Sequence, residues 1–207
     1  KRESEKKLDF EIVDLQVLPS DEPTRNGVRP QSHVKPGHWF GAVQRIKANN
    51  FDLPKGDLEA ECVDSKLQSL PLPGSFELLT RRGVSLPKGQ EKHTDLVLFA
   101  PETRMSKFYF VSRLRPRGGG QQLGGQEELA IKMRASENHF VVLAAVADNY
   151  QFLKSLRFAN PGIEGLQFLN PPVDYHFKLP KDTQRVDLSS QALTWSTISH
   201  VVWDDFD

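Results

Sequence analysis

The sequence predicts a mostly β chain in two parts, an antiparallel β-sandwich over residues 8–135 and the opening of a parallel α/β sheet over residues 139–207. Three observations carry that reading. Up to about Ala135 the apolar residues come in short alternating or β-rich runs, cut by proline and glycine, with no sustained helical period. From Phe140 to Val146 they form one unbroken run, the pattern of a strand buried on both faces. A helical stretch and two more strand-like stretches follow, and strand, helix, strand, loop, strand is how an open α/β sheet begins.

Phe10 to Leu18 and Trp39 to Ala48 are the first two predicted strands. Leu58 to Val63 is the clearest, because Leu58, Ala60 and Cys62 share one face and Glu59 and Glu61 the other, which marks a strand buried on one side. Ser75 to Thr80, Thr94 to Phe99, Lys107 to Leu114 and Glu128 to Met133 bring the number to seven, which suits an immunoglobulin-like sandwich. Lys35-Pro36-Gly37, Leu53-Pro54-Lys55-Gly56, Leu72-Pro73-Gly74 and Leu86-Pro87-Lys88-Gly89 read as turns, each combining the fixed φ of proline with a permissive glycine. In the second part Asp148 and Asn149 are suited to cap a short helix whose apolar face is Tyr150, Phe152, Leu153 and Leu156, and Asn160-Pro161-Gly162 stops it. Leu166 to Pro172 reads as a loop, Val173 to Leu179 as the second strand and Ile198 to Trp203 as the third, with the helix as a right-handed crossover between parallel strands.

Composition narrows the function classes. The 207 residues carry 27 Lys+Arg against 27 Asp+Glu. Duplex recognition rests on a basic excess that neutralises phosphates, so nucleic acid is not an expected partner. No stretch approaches the roughly 18 apolar residues of a spanning helix, so direct membrane insertion is not expected either. The single cysteine, Cys62, can close no disulfide within the chain and, on the apolar face of its strand, reads as a small hydrophobe. The chain opens on Lys1 and ends near a strand, so it reads as a fragment of something longer, with any secretion signal or anchor before Lys1. The sheet edge after Trp203 is expected to recruit a partner, a second copy included.

Two groups of motifs together resemble a known arrangement. Val34-Lys35-Pro36-Gly37-His38-Trp39-Phe40 followed by Gly56-Asp57-Leu58-Glu59-Ala60 resembles the opening of a sandwich domain in large bacterial envelope proteins. Phe140-Val141-Val142-Leu143 with Tyr150-Gln151-Phe152-Leu153, and Leu193-Thr194-Trp195 with Val201-Val202-Trp203-Asp204-Asp205-Phe206-Asp207, resemble the flavodoxin-like domain, similar to class I glutamine amidotransferases, that follows it there. The resemblance implies a sandwich joined to an incomplete flavodoxin-like unit, in an extracytoplasmic or membrane-associated setting reached through a segment outside this chain. An amidotransferase carries its nucleophilic cysteine on a strand-to-helix turn well past the third strand, with His and Glu further on. This chain stops before any of them. The expected function is therefore a non-catalytic interaction or scaffolding module, without a cofactor, whose partner is another protein or the remainder of its own chain.

The remaining constellations each have a plain reading beside the chemical one. Arg113, Arg115 and Arg117 alternate at a strand end and so share a face, which could grip an anion; the plain reading is a solvated row matched by acids such as Glu127 and Glu128. Asp204, Asp205 and Asp207 stand at the carboxyl end of the third strand, where α/β sheets bind ligands, and oxygen donors there suit Mg²⁺ or Ca²⁺. The plain reading makes them caps of a following helix, and the competing function is a ligand-binding or degenerate hydrolase-like α/β unit using that strand end. Arg117 to Gly125 is glycine-rich but leads into a strand rather than a helix, so it reads as a hairpin loop and not a phosphate cradle. The six histidines lack metal-site spacing, although His33 and His38 flank a Pro-Gly turn. Trp39, Trp195 and Trp203 are expected to pack in the core and between the two parts. Phe108, Tyr109 and Phe110 are consecutive and cannot form an aromatic row on one face.

Overall fold

The computed structural model describes residues 8–18, 32–102, 105, 107–133, 138–144, 173–178 and 188–204. Eight strands build the first part: β1 (Phe10–Leu18), β2 (Ser32–Val34), β3 (Trp39–Ala48), β4 (Leu53–Val63), β5 (Thr80–Leu86), β6 (Glu91–Phe99), β7 (Lys107–Pro116) and β8 (Leu123–Met133). They form two sheets, β1-β3-β6 and β2-β8-β7-β4-β5. Pairing is antiparallel except between β2 and β8, which run parallel. Six of the seven predicted strands are found, and β2 and β5 are added to make eight.

Alternation decides what lies between the sheets. Phe40, Ala42 and Ile46 of β3 point inward, as do Leu96 and Leu98 of β6, and Leu58, Ala60, Phe108, Phe110, Leu114 and Ile131 meet them from the five-stranded sheet. Phe40 and Phe108 touch across the interior with ring centroids 6.2 Å apart. Outward positions of β4 are Asp57, Glu59 and Glu61, so the period of two read from the sequence places acid on the solvent face. At one corner Thr80 Oγ1 donates to the Val97 carbonyl at 2.8 Å, linking β5 to β6. At the other corner Gly124 of β8 lies against the Phe10 carbonyl of β1 with φ +73°, a close approach that only a residue without Cβ allows.

Two local expectations are corrected. Leu53 to Gly56 is not a turn but the irregular start of β4, where the register skips between Leu53 and Gly56 and the Leu53 side chain folds over the glycine. Ser75 to Thr80 is not a strand, because Leu72-Pro73-Gly74-Ser75 is a tight turn closed by Ser75 N–H donating to Leu72 O at 3.0 Å, and the strand starts only at Thr80. Proline at the second position and Gly74 at φ +86° in the third define a type II turn. The apolar pattern misplaced β5 because it is an edge strand, with only Val84 and Leu86 buried. Gly37, Gly74 and Gly89 occupy positive φ in the other three of the four expected turns.

The second part is a separate sheet of β9 (Asn138–Ala144), β10 (Val173–Lys178) and β11 (His200–Asp204), in the order β10-β9-β11 and wholly parallel. A parallel strand set in three pieces at these places is what the sequence pattern expected. Val141 and Leu143, which share one face of β9, are buried, and Phe140 on the other face is half-buried. The helix expected over 148–157, the loop over 166–172 and residues 205–207 lie outside the described residues. No α-helix occurs among the described residues; a 3₁₀ turn, Ala192–Trp195, precedes β11.

Candidate functional site: an apolar cleft beside a charge-paired sheet

The solvent face of the five-stranded sheet carries a ladder of opposite charges. Arg113 reaches Glu61 at 2.6 Å, Arg115 reaches Glu59 at 3.1 Å and Arg117 reaches Asp57 at 3.1 Å. Backbone partners are offset from these pairs, since Glu59 lies opposite Arg113 and Asp57 opposite Arg115, so each arginine leans one step along β4. Arg81 of β5 shares Glu59 at 2.8 Å, and Gln126 of β8 accepts from Arg113 at 2.9 Å. Arg117 passes over Gly83 on the edge strand to reach Asp57, and a Cβ at position 83 would occupy the guanidinium's place. The row predicted from Arg113, Arg115 and Arg117 is real, but its acids come from β4 rather than from Glu127 and Glu128. An added anion would have to compete with three carboxylates already in contact. The three carboxylates are only 11–15% exposed, so these are half-buried pairs in which each acid depends on its arginine for compensation. On the other sheet Glu91, hydrogen-bonded by Lys47 and flanked by Arg45 and His93, is held below the usual carboxylate range.

The long connection from β4 to β5 builds a different kind of surface. Its type II turn pairs Leu72 with Phe76, Leu72 N–H donating to Phe76 O at 2.7 Å, and the Phe76 ring packs on Gly74. Phe76 is nevertheless 69% exposed. Opposite it, Trp39 at the start of β3 and Phe99 at the end of β6 are register partners and meet edge to face, centroids 5.3 Å apart. Trp39, Phe99, Leu72, Pro73, Phe76 and Leu78 enclose an open cleft of about 380 Å³. Beneath it lies a void of about 10 Å³ that shares Leu72, Leu78 and Phe99 and reaches Cys62 on its inner side. The sequence showed the Pro-Gly turn but gave no sign that the phenylalanine two residues on stays at the surface.

Cys62 is buried, as its place in the alternation required, and its thiol donates to the Phe99 carbonyl at 3.5 Å. Burial, and secondarily the negative charge of Glu61, push the thiol far above its ordinary range. It is no nucleophile at neutral pH. Of the glycine-rich Arg117 to Gly125 segment, residues 117–122 are the β7–β8 hairpin loop and Leu123 to Gly125 already belong to β8. His38 Nδ1 lies 2.8 Å from the Pro36 carbonyl, whereas the His33 ring faces His139 at 6.4 Å between centroids. Among the described residues no three His, Cys, Asp or Glu side chains gather as a metal site. Phe108 and Phe110 are fully buried, and Tyr109 carries the Lys107 ammonium 4.9 Å from its ring centroid. Trp203 is 61% exposed, not buried in the core. Asp204 ends β11; Asp205 and Asp207 lie outside the described residues.

The approach to β11 rests on the outer face of β3. Ser189 sits over Gly41, within 3.0–3.2 Å of where a Cβ would be, and Ser190 Oγ lies 3.3 Å from Asp95 Oδ2 of β6. Thr194 is buried there, and the Trp195 indole N–H donates to the Ser189 carbonyl at 2.8 Å. Ser199 N–H donates to the His139 carbonyl at 2.9 Å, which carries the segment into the parallel sheet. Gly41 is thus the seat on which the segment rests.

No family model matches the chain, and no curated protein matches it. Among solved structures it is similar to the CARDB domain of a Pyrococcus furiosus protein in complex with di-metal ions, at 11% identity and a TM-score of 0.37 over 62% of this chain and 95% of that one. A Niemann-Pick type C2 protein from the Japanese carpenter ant gives 9% identity and a TM-score of 0.42 over 62% and 94%. The C-terminal domain of wzt gives 8% and 0.44 over 62% and 75%. Likenesses this weak bear on neither activity nor ligand. No helix among the described residues is long and apolar enough to cross a membrane.

Proposed function

We propose that this chain is a non-catalytic scaffolding module in which the sandwich holds and orients a flavodoxin-like α/β unit and, through it, a protein partner or the rest of its own chain. The observation that carries this reading is the seating of residues 188–195 on β3, with Ser189 over Gly41 and Thr194 buried. Such a contact fixes one unit against the other without touching the interior of either. The order β10-β9-β11 supports the flavodoxin-like part, since the second, first and third strands of that fold stand side by side in this sequence. A relation to class I glutamine amidotransferases and an extracytoplasmic or membrane-associated setting belong to the same proposal. The test is Gly41→Leu, whose side chain would displace Ser189. Expected is a red shift of tryptophan emission that disappears when Trp195 is also replaced by phenylalanine, with the β-sheet circular dichroism unchanged; unaltered emission would remove the basis of the reading.

One observation favours a second reading, in which the α/β unit binds a ligand. In the order β10-β9-β11 the three strands run parallel, but the chain lays β10 on one side of β9 and then crosses to lay β11 on the other, and at their carboxyl ends Ala144 and Asp204 are register partners. Open α/β sheets bind ligands at that point. A melting temperature raised by millimolar Mg²⁺ or Ca²⁺ and unaffected by metal in Asp204→Ala/Asp205→Ala is the result this reading expects.

A further inference from the structure

The cleft between the β4–β5 turn and the Trp39–Phe99 pair has the properties of a small-molecule site. We propose that it binds an uncharged, hydrocarbon-rich ring compound, independently of the scaffolding reading. Its volume of about 380 Å³ falls in the range of ligand pockets, about 300–1,000 Å³, which are lined mainly by hydrophobic and aromatic groups. All six lining side chains are hydrocarbon except for the indole N–H of Trp39, so a charged group entering the cleft would lose hydration and gain no ion pair. That chemistry selects against sugars, which need several hydrogen-bonding partners, and against anions or cations of the same shape.

The turn supplies preorganisation. Pro73 and Gly74 fix the loop, and the Leu72–Phe76 bridge fixes where the Phe76 ring stands, so exposing that ring gives it little conformational freedom to lose on binding. Leu72 and Leu78 complete the lining beside that ring and the Trp39–Phe99 pair.

Toluene, benzoate and benzylammonium, titrated against the full chain with methyl-labelled leucine, separate the outcomes. Toluene is expected to shift the Leu72 and Leu78 methyl resonances saturably, and the two charged analogues to bind at least about tenfold more weakly, as desolvation of the charge requires. Phe76→Ala, at an exposed position that the fold tolerates, should weaken toluene binding by about tenfold, whereas Phe51→Ala, an equally exposed ring outside the cleft, should leave it unchanged. Absence of saturation at Leu72 and Leu78, equal binding of the charged analogues, or an unaltered affinity in Phe76→Ala would each overturn the proposal. None of these results depends on how residues 188–195 sit on β3, so the cleft and the scaffolding reading fail separately.

Discussion

Gly124→Val is expected to lower the free energy of unfolding by about 3–5 kcal/mol, because it combines a left-handed backbone with a collision between main chains. Gly124 sits at φ +73°, and a Cβ there would fall on the Phe10 carbonyl oxygen of β1. Neither partner can yield cheaply, since Phe10 is paired with Ala48 on β3 and its own side chain is buried. Gly89→Ala is the control. It has nearly the same φ, +75°, but open space around the missing Cβ, so it should cost only the conformational part, about 1–2 kcal/mol. Urea denaturation of the two variants measures the difference. Equal losses would mean that the two sheets do not approach each other at β1 and β8.

The second large effect is in alkali and comes from Cys62. Its folded-state pKa is raised, first by burial and then by the charge of Glu61. Below about pH 8.5 the thiol is protonated whether the chain is folded or not, and it contributes no pH dependence. Above that the unfolded thiol ionises while the folded one keeps its proton, so the folded state holds more protons and stability falls as pH rises. The slope approaches about 1.4 kcal/mol per pH unit, or roughly 2 kcal/mol by pH 10. Cys62→Ala should remove that component between pH 8.5 and 10 while lysine and tyrosine titration continues in both proteins. An identical alkaline slope in the variant would show that the thiol ionises as readily folded as unfolded.

What could be read in the sequence follows from how strongly each residue pattern is constrained. β1 and β3 appear with the predicted ends because both are paired across their whole length and bury one face, so alternation and turn residues agree. The parallel strands were legible for a related reason: β9 is the middle strand of three and buries Val141 and Leu143 on one face, so its residues are apolar. β5 was misplaced because an edge strand answers to a neighbour on one side only. Its sequence, Thr80-Arg81-Arg82-Gly83, serves Glu59, the Asp95 carbonyl and the passage of Arg117 rather than the core. The arginine row was visible as a face, yet its partners were not, since the register of β4 against β7 sets the arginines beside residues more than fifty positions away and is written in neither strand alone. The cleft was the least legible feature. Phe76 reads as any core phenylalanine, and only the type II turn before it, pinned by Gly74 and Ser75 at positive φ, keeps the ring outside. Gly41 gave no signal either, because the partner it accommodates lies more than a hundred residues away in sequence and approaches from outside the sheet.

The central claim is that the segment leading into β11 is seated on the sandwich. Asp95 and Ser190 report on it directly, being 95 residues apart in sequence with side-chain oxygens 3.3 Å apart. In a Cys62→Ala background, Asp95→Cys/Ser190→Cys should close an intramolecular disulfide on mild oxidation at low protein concentration, seen as a compact, faster-migrating monomer on non-reducing electrophoresis. Free thiols, or links formed only between molecules, would contradict the account.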